Sequence, residues 1–203
     1  MITILNYGLG NLGSIQNILH LLEVDSKITS DVNIIKKASK IILPGVGAFD
    51  SAMRNLKNSK GLFEILNEKA LVEKIPVLGI CLGMQILTRE SEEGVLKGLN
   101  WIPGAVHKFP DNNKKLKIPH MGWNYVKQIK ENKLGKNLDK NSKFYFVHSY
   151  YVKVENRENV IFTSNHIVNF DAAIQFENIF GVQFHPEKSH KFGVNIFRNF
   201  LKI

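Results

Sequence analysis

Short apolar runs and helical stripes alternate through the first half of the chain. Ile2 to Leu5, Lys40 to Leu43 and Pro76 to Ile80 read as buried strands. Between the first two, Ile15, Ile18, Leu19 and Leu22 recur at i, i+3, i+4 and i+7, which lays the apolar stripe of a helix against a sheet. This alternation predicts a parallel α/β sheet. From Trp101 the pattern turns β-rich, with runs at Lys143 to Val154, Val160 to Thr163, Ala172 to Phe176 and Phe180 to Phe184. Their short connections predict antiparallel pairing. Phe192 to Leu201, with Val194, Phe197 and Leu201 at helical spacing, predicts a closing amphipathic helix. No repeat or low-complexity linker breaks the chain, so the expectation is one domain over residues 1–203, with a polar loop from Asp111 to Lys117.

Composition narrows the setting. With 203 residues, 44% of them hydrophobic, the chain can bury a full core as one domain of ordinary size. No apolar run approaches the roughly 20 residues a membrane span needs, and the opening MITILNYGLG has no positive segment ahead of its apolar stretch. A soluble, cytoplasmic protein without a membrane partner is expected. The formal charge of +9 raises the question of nucleic acid. Arginine appears only at Arg54, Arg89, Arg157 and Arg198, and the lysines are scattered among asparagines rather than gathered into a stripe. No nucleic-acid partner is expected on that distribution. The single cysteine, Cys81, cannot form an internal disulfide and must be explained as a lone thiol.

Gly79-Ile80-Cys81-Leu82-Gly83 follows an apolar strand and leads into a helical pattern through Met84, Gln85, Ile86 and Leu87. That is the setting of a nucleophile elbow with cysteine in place of serine. Glycines two residues to either side let strand and helix approach closely, the nucleophile sits in a strained turn, and the helix start favours a thiolate. A thiolate needs a proton-transfer partner. Among His20, His107, His120, His148, His166, His185 and His190, only His185 has an orienter legible in the sequence. In Val182-Gln183-Phe184-His185-Pro186-Glu187, side chains at i and i+2 can share one side of an extended segment, and Pro186 biases His185 toward that geometry. Glu187 can then hold the imidazole while His185 exchanges a proton with Cys81.

Pro44-Gly45-Val46-Gly47 follows a strand directly, and its glycines let backbone N–H groups turn toward a bound carbonyl. The N–H groups of Val46 and Leu82 are the expected oxyanion donors. A loop at the carboxyl end of a parallel strand opens on the same crevice as the elbow. This chemistry calls for no metal and no cofactor. Gly8-Leu9-Gly10-Asn11-Leu12-Gly13 matches the dinucleotide fingerprint, but neither Asp25 nor Asp31 sits convincingly at the strand end where a ribose-binding acid belongs. These glycines are expected to serve a tight turn, packing or a partner surface.

With Gly-Ile-Cys-Leu-Gly-Met-Gln at 79–85 and Phe-His-Pro-Glu at 184–187, the chain resembles the class I, or triad, glutamine amidotransferases. Tyr7-Gly8, Gly10-Asn11, Pro44 to Phe49, Pro119-His120-Met121-Gly122-Trp123-Asn124 and Tyr145 to Tyr150 extend the likeness over nearly the whole chain. Within that class they are similar to the glutaminase subunits of imidazole glycerol phosphate synthases. The resemblance implies a flavodoxin-like α/β sheet flanked by helices, with a parallel core and an antiparallel β-rich second half. It implies L-glutamine held by Gly47, Gln85, Glu93 and backbone groups around Ser149 and Tyr150, and hydrolysed to glutamate and ammonia. It also implies a heterodimer with a (β/α)8-barrel cyclase subunit that receives the ammonia in histidine biosynthesis, with Trp123, Tyr145 and Lys188 near the tunnel entrance. Two departures leave the acceptor open. Asn6 stands where many relatives carry Asp, and Ser189 to Gly193 resembles paralogues that supply a sugar-modifying amidotransferase in surface-polysaccharide biosynthesis.

Overall fold

The structure is a computed structural model that describes residues 1–111 and 116–203, so residues 112–115 of the expected polar loop lie outside the described residues. Its first half runs β1 (Ile2–Leu5), α1 (Leu12–Leu21), β2 (Ser26–Thr29), α2 (Val32–Ile35), β3 (Lys40–Gly45), α3 (Phe49–Asn58), α4 (Leu62–Asn67), β4 (Val77–Cys81) and α5 (Leu82–Gln85). The second half runs β5 (Glu90–Ser91), β6 (Gly104–Lys108), β7 (His120–Tyr125), β8 (Lys127–Gln128), β9 (Lys143–His148), β10 (Tyr150–Val154), β11 (Val160–His166), β12 (Val168–Phe176), β13 (Ile179–Val182) and α6 (His190–Leu201). The main sheet has the order β2-β1-β3-β4-β13-β12-β11-β8, parallel from β2 to β13 and antiparallel beyond it. Two small sheets, β10-β6-β5 and β7-β9, complete the fold.

Alternation along the parallel strands sends side chains to two cores, which is why these strands read as unbroken apolar runs. Ile4, Ile42, Leu78 and Ile80 pack with Ile15 and Leu19 of α1 and with Ile196, Phe197 and Phe200 of α6. Leu5, Ile41, Leu43 and Val77 pack on the opposite side with Met53 and Leu56 of α3 and Leu62 and Ile65 of α4. Each such side chain removed from water contributes about 1.5–3 kcal/mol.

The structure corrects several expectations. β13 belongs to the β-rich half, yet it pairs in parallel with β4, in the register Ile179↔Val77 to Val182↔Ile80. Lys143 to Val154 is not one strand but two, parted at Ser149 and joined to different small sheets. β3 continues through Pro44 and Gly45, which pair with Ile80 and Cys81, so the free loop begins at Val46. The helix expected from Leu82 to Leu87 ends at Gln85. A returning segment takes the carbonyls beyond it: Leu99 N–H donates to Ile86 O at 2.8 Å, and Trp101 N–H to Leu87 O at 2.9 Å.

The closing helix starts at His190 and buries Gly193, Ile196, Phe197 and Phe200, rather than a stripe through Val194 and Leu201. A Cβ on Gly193 would lie 1.8 Å from the Pro186 carbonyl oxygen, and this contact sets the helix's rotation. Gly193→Ala should therefore destabilise the fold by about 3 kcal/mol, the upper end for overpacking, because backbone is on the other side of the clash. In contrast, a Cβ on Gly13 of α1 meets nothing within 4 Å, and Gly13→Ala should stabilise by about 1 kcal/mol. Urea unfolding midpoints of the two variants give both signs, and a Gly193→Ala midpoint equal to that of the unmodified chain would contradict the packing argument.

Candidate functional site

Cys81 ends β4 at φ 55°, ψ −111°, a left-handed backbone that a side chain adopts only under constraint. The constraint is steric. A Cβ on Gly83 would sit 1.8 Å from Leu43 O, and one on Gly79 would sit 2.6 Å from Gly83 O, so β3, β4 and α5 meet through glycine at both places. The Tyr7 hydroxyl donates to Pro44 O at 2.5 Å, fixing the end of β3 beside the elbow. Burial, with the charge of Cys81 adding to it, pushes the Tyr7 phenol well above its ordinary range, which keeps it a donor. The dipole expected behind Cys81 is weaker than the sequence suggested, since α5 has a single turn.

His185 follows β13, on the far side of β4 from the Pro44 loop. Its backbone N–H donates to Tyr145 O at 2.8 Å, and the Ser189 hydroxyl donates to His185 O at 2.6 Å. Its Nδ1 lies 2.7 Å from Glu187 Oε1, with the two side chains only 2% and 1% exposed. Nε2, the other ring nitrogen, is buried without a hydrogen-bond partner. Burial disfavours the imidazolium, but the charge and hydrogen-bonding capacity of Cys81, reinforced by Glu187, outweigh it and push His185 up to about 10.

Cys81 and His185 open on a cavity of about 280 Å³ lined also by Val46, Gly47, Leu82, Gln85, Glu93, Ser149 and Tyr150. Every residue expected to hold the substrate or an oxyanion is thus brought to one wall or another. Both donors of Gln85 are committed, to Tyr150 O at 3.1 Å and to Gln183 Oε1 at 3.1 Å, which leaves its carbonyl oxygen for a ligand. Glu93 Oε2 accepts the Phe49 N–H at 2.9 Å and ties the loop after the elbow to the start of α3. A larger concavity of about 770 Å³ between Gln128 and Leu138 is lined by lysines, asparagines and Glu131, with no cysteine, serine or threonine. Among the described residues no group of three or more His, Cys, Asp or Glu could hold a metal ion, and no helix is long and apolar enough to cross a membrane.

Trp123, Tyr145 and Lys188 also come together, but beside the cavity rather than in its wall. Trp123 and Tyr145 are opposite residues of β7 and β9 with ring centroids 6.3 Å apart, and Lys188 Nζ lies 5.7 Å from the Tyr145 ring centre. His190 stacks on Trp123 at 5.3 Å, so the Ser189–Gly193 run shapes this surface. Asn6, the residue set apart in the sequence, accepts the Gly8 N–H at 3.2 Å and closes a turn. In the glycine-rich segment, Gly8 and Gly10 have φ of 86° and 111° and serve that turn, whereas Gly13 packs closely against nothing. Asp31 caps α2 through the Asn33 N–H at 2.8 Å and is not a ribose ligand.

Sequence reasoning missed part of the site. Gln183, fully buried in an apolar stretch, donates to Cys81 Sγ at 3.7 Å. Pro119, Val147 and His148 line the cavity. His148 Nδ1 is 2.7 Å from Tyr150 O and its Nε2 is 2.9 Å from His120 Nδ1, so His185 is not the only histidine with an orienter. The available signal was a polar residue in an apolar run, Gln183 between Val182 and Phe184 and His148 directly after Phe144 to Val147.

The family model for class-I glutamine amidotransferases matches residues 4–203. The chain is 56% identical to imidazole glycerol phosphate synthase subunit HisH 2 of Methanococcus maripaludis, covering all of this chain and 99% of that protein. It is 48% identical to imidazole glycerol phosphate synthase subunit HisH of Leptospira interrogans, with both chains fully covered. Among solved structures, PurLQS from Thermotoga maritima superposes with a TM-score of 0.69 at 23% identity, over 99% of this chain and 97% of that one. A crystal structure of a glutamine amidotransferase superposes with a TM-score of 0.70 at 14% identity, over 99% and 97% of the respective chains. These two structural likenesses bear on the fold.

His120 and His148 make stability depend on acid. Burial, with His166 adding to it, pushes His120 down to about 4. Burial pushes His148 down to about 3, against the Tyr150 carbonyl and with help from His120, His166 and His185. Unfolded, both imidazoles take up a proton near 6.5. Below that pH the unfolded chain binds more protons than the native one, so stability falls as pH falls, by about 1.4 kcal/mol per pH unit for each histidine until the folded value is reached. His120→Phe keeps the stacked shape but cannot titrate, and it should remove about half of this acid slope. Urea unfolding between pH 7.5 and pH 5 measures it; equal slopes for variant and unmodified chain would show that His120 titrates alike in both states.

Proposed function

The chain belongs to the class-I glutamine amidotransferases, and from that premise we propose that it is the glutaminase subunit of an imidazole glycerol phosphate synthase. In this reading it hydrolyses glutamine to glutamate and ammonia and hands the ammonia to a cyclase subunit in histidine biosynthesis. The full-length identity to subunits of that name supports the assignment. The observation that carries the chemistry is the shared cavity of Cys81, His185 and the Val46–Gly47 loop. Its volume of about 280 Å³ suits an amino acid, lying just under the ~300–1,000 Å³ of drug-sized sites.

Cys81 Sγ attacks the carbonyl carbon of the glutamine side chain, and the carbonyl electron pair moves onto oxygen. The N–H groups of Val46 and Leu82 stabilise that oxyanion. Collapse of the intermediate breaks the C–N bond, and His185 Nε2 delivers the proton that releases ammonia. Water then attacks the glutamyl thioester and gives up its proton to His185, and Cys81 leaves as the thiolate, which restores the starting thiolate–imidazolium pair. Glu187 holds Nδ1–H throughout, so that Nε2 is the nitrogen presented to the cavity. Glu93, the Gln85 oxygen, Gly47 and backbone groups of Ser149 and Tyr150 hold the α-amino and α-carboxyl ends of the substrate.

The exposed Trp123, Tyr145 and Lys188 cluster belongs, in this proposal, to a docking surface for the synthase. Once covered it closes the route from the cavity, so that neutral ammonia reaches the acceptor before it escapes and is protonated.

Cys81→Ala should lower glutamine turnover by at least about 10³-fold while ammonia-dependent synthesis by the complex survives. His185→Asn should match it, and Glu187→Gln should be milder, because an orienter contributes less than a proton carrier. Near-normal glutaminase activity in Cys81→Ala would remove the thiol from the mechanism. Trp123→Ala should lower aminated product per glutamate formed by more than it lowers glutamate formation. Both products are measured in one reaction with the imidazole glycerol phosphate cyclase subunit and again with a sugar-modifying synthase. Coupling to the second acceptor alone would move the chain to polysaccharide biosynthesis; an unchanged product ratio in the assembled complex would leave Trp123 as a packing residue.

A further inference from the structure

Asn124, His120 and His148 form a row of hydrogen bonds that has only one neutral solution. Tyr150 O is an acceptor, so His148 Nδ1, 2.7 Å away, carries the proton. In the neutral ring Nε2 is then an acceptor, and His120 Nδ1, 2.9 Å away, must supply the hydrogen. His120 Nε2 accepts in turn from Asn124 Nδ2 at 3.1 Å, while the second Asn124 hydrogen goes to Asn165 O at 2.9 Å. Asn124 Oδ1 takes the Tyr125 N–H at 2.8 Å, which fixes the orientation of the amide. Every donor meets an acceptor and the row points one way, from β7 to the cavity wall.

The row continues beyond Tyr150. The same carbonyl accepts from Gln85 Nε2, Gln85 also donates to Gln183, and Gln183 donates to Cys81 Sγ. Packing holds the rings in place: His120 lies between Phe146 at 4.7 Å and His166 at 4.3 Å, stacked on both, and His148 packs against Phe109 and Phe170. The titratable groups facing the pair are His166 and His185. His166 Nε2 lies 2.9 Å from Lys117 O, so it donates away from the pair. A proton added to His148 would set Nε2–H against His120 Nδ1–H, and the row would break.

Accepting the proposed glutaminase reading, we infer that His120 and His148 are positioning residues for glutamine, acting through the Tyr150 carbonyl to hold the Ser149–Tyr150 wall of the cavity. Neither touches the reacting atoms. Their placement also ties substrate binding to β7, because His120 and His148 are opposite residues of the β7–β9 ladder. The other face of β7 presents Met121, Trp123 and Tyr125, exposed by 63%, 42% and 58%.

His148→Phe keeps a ring of similar size but donates nothing, leaving a carbonyl of the cavity wall short of a partner. Tyr150 O then keeps only Gln85 Nε2 as donor, so KM for glutamine should rise about tenfold with kcat changed by less than about threefold, the loss of one hydrogen bond from the cavity wall. His148→Asn can place Nδ2 where Nδ1 stood and should restore most of the affinity, while His120→Phe should give a smaller rise in KM. Long-range ¹H–¹⁵N spectra of the unmodified chain should show both rings neutral and protonated at Nδ1 from pH 6 to pH 8. An Nε2–H tautomer at His148, or a folded His148→Phe with an unchanged KM, overturns the inference. The two readings fail separately: an unmodified chain with no glutaminase activity in complex with its synthase overturns the proposed function, while the tautomer measurement needs no turnover.

Discussion

A Cβ at residue 83 would lie 1.8 Å from the Leu43 carbonyl oxygen, and the arrangement of the site depends on the absence of that one atom. Without it, the start of α5 rests on the backbone of β3, and Pro44 and Gly45 stay paired with Ile80 and Cys81. That contact carries the Val46–Gly47 loop into the wall of the Cys81 cavity. It also over-determines the left-handed backbone of Cys81, since the residue is held by the β3–β4 ladder before it and by the glycine contact after it. β13, on the other side of β4, delivers Gln183 and His185 to the same thiol. Loop, elbow and imidazole therefore come from three adjacent parallel strands, at the carboxyl ends where such sheets leave a crevice.

Burial disfavours the charged form of three histidines around this cavity, yet they end in different charge states. His185 faces Cys81 and Glu187, whose negative charge and acceptor atoms more than offset the loss of water, so its imidazolium is favoured. His120 and His148 face each other, a carbonyl, an amide and aromatic rings, with no carboxylate to hold a cation. They are driven down and remain neutral. The cavity thereby meets a favoured imidazolium at His185 and a fixed pattern of neutral donors and acceptors at His148. A buried ion pair such as His185–Glu187 is poor evidence for stability, because desolvation costs each member several kcal/mol. Its retention fits a chemical role, as does the unpartnered Nε2 beside it.

β1, β3 and β4, the helix of Ile15 and Leu19, and the elbow around Cys81 were legible in the chain because each is written in local periodicity or in glycines at fixed offsets from one residue, whereas the short, half-exposed β2 carried no such pattern. The sequence by itself also linked His185 to Glu187, since i, i+2 geometry and a proline are local matters. Tertiary structure alone decided how far those elements run. α5 stops after one turn because residues 99–102 claim its next carbonyls, and the rotation of α6 follows from a glycine pressed on Pro186. It alone set β13 in the parallel core and split Lys143 to Val154 at Ser149, the break that places Tyr150 O between His148 and Gln85. The row from Asn124 to Cys81 joins β7, β9, β10, α5 and the segment after β13, and a hydrogen bond between residues many positions apart leaves no spacing in the chain to read. Local sequence chose the chemical groups, and long-range packing chose which of them meet, because donors and acceptors hidden from water must find partners wherever the fold brings one within reach.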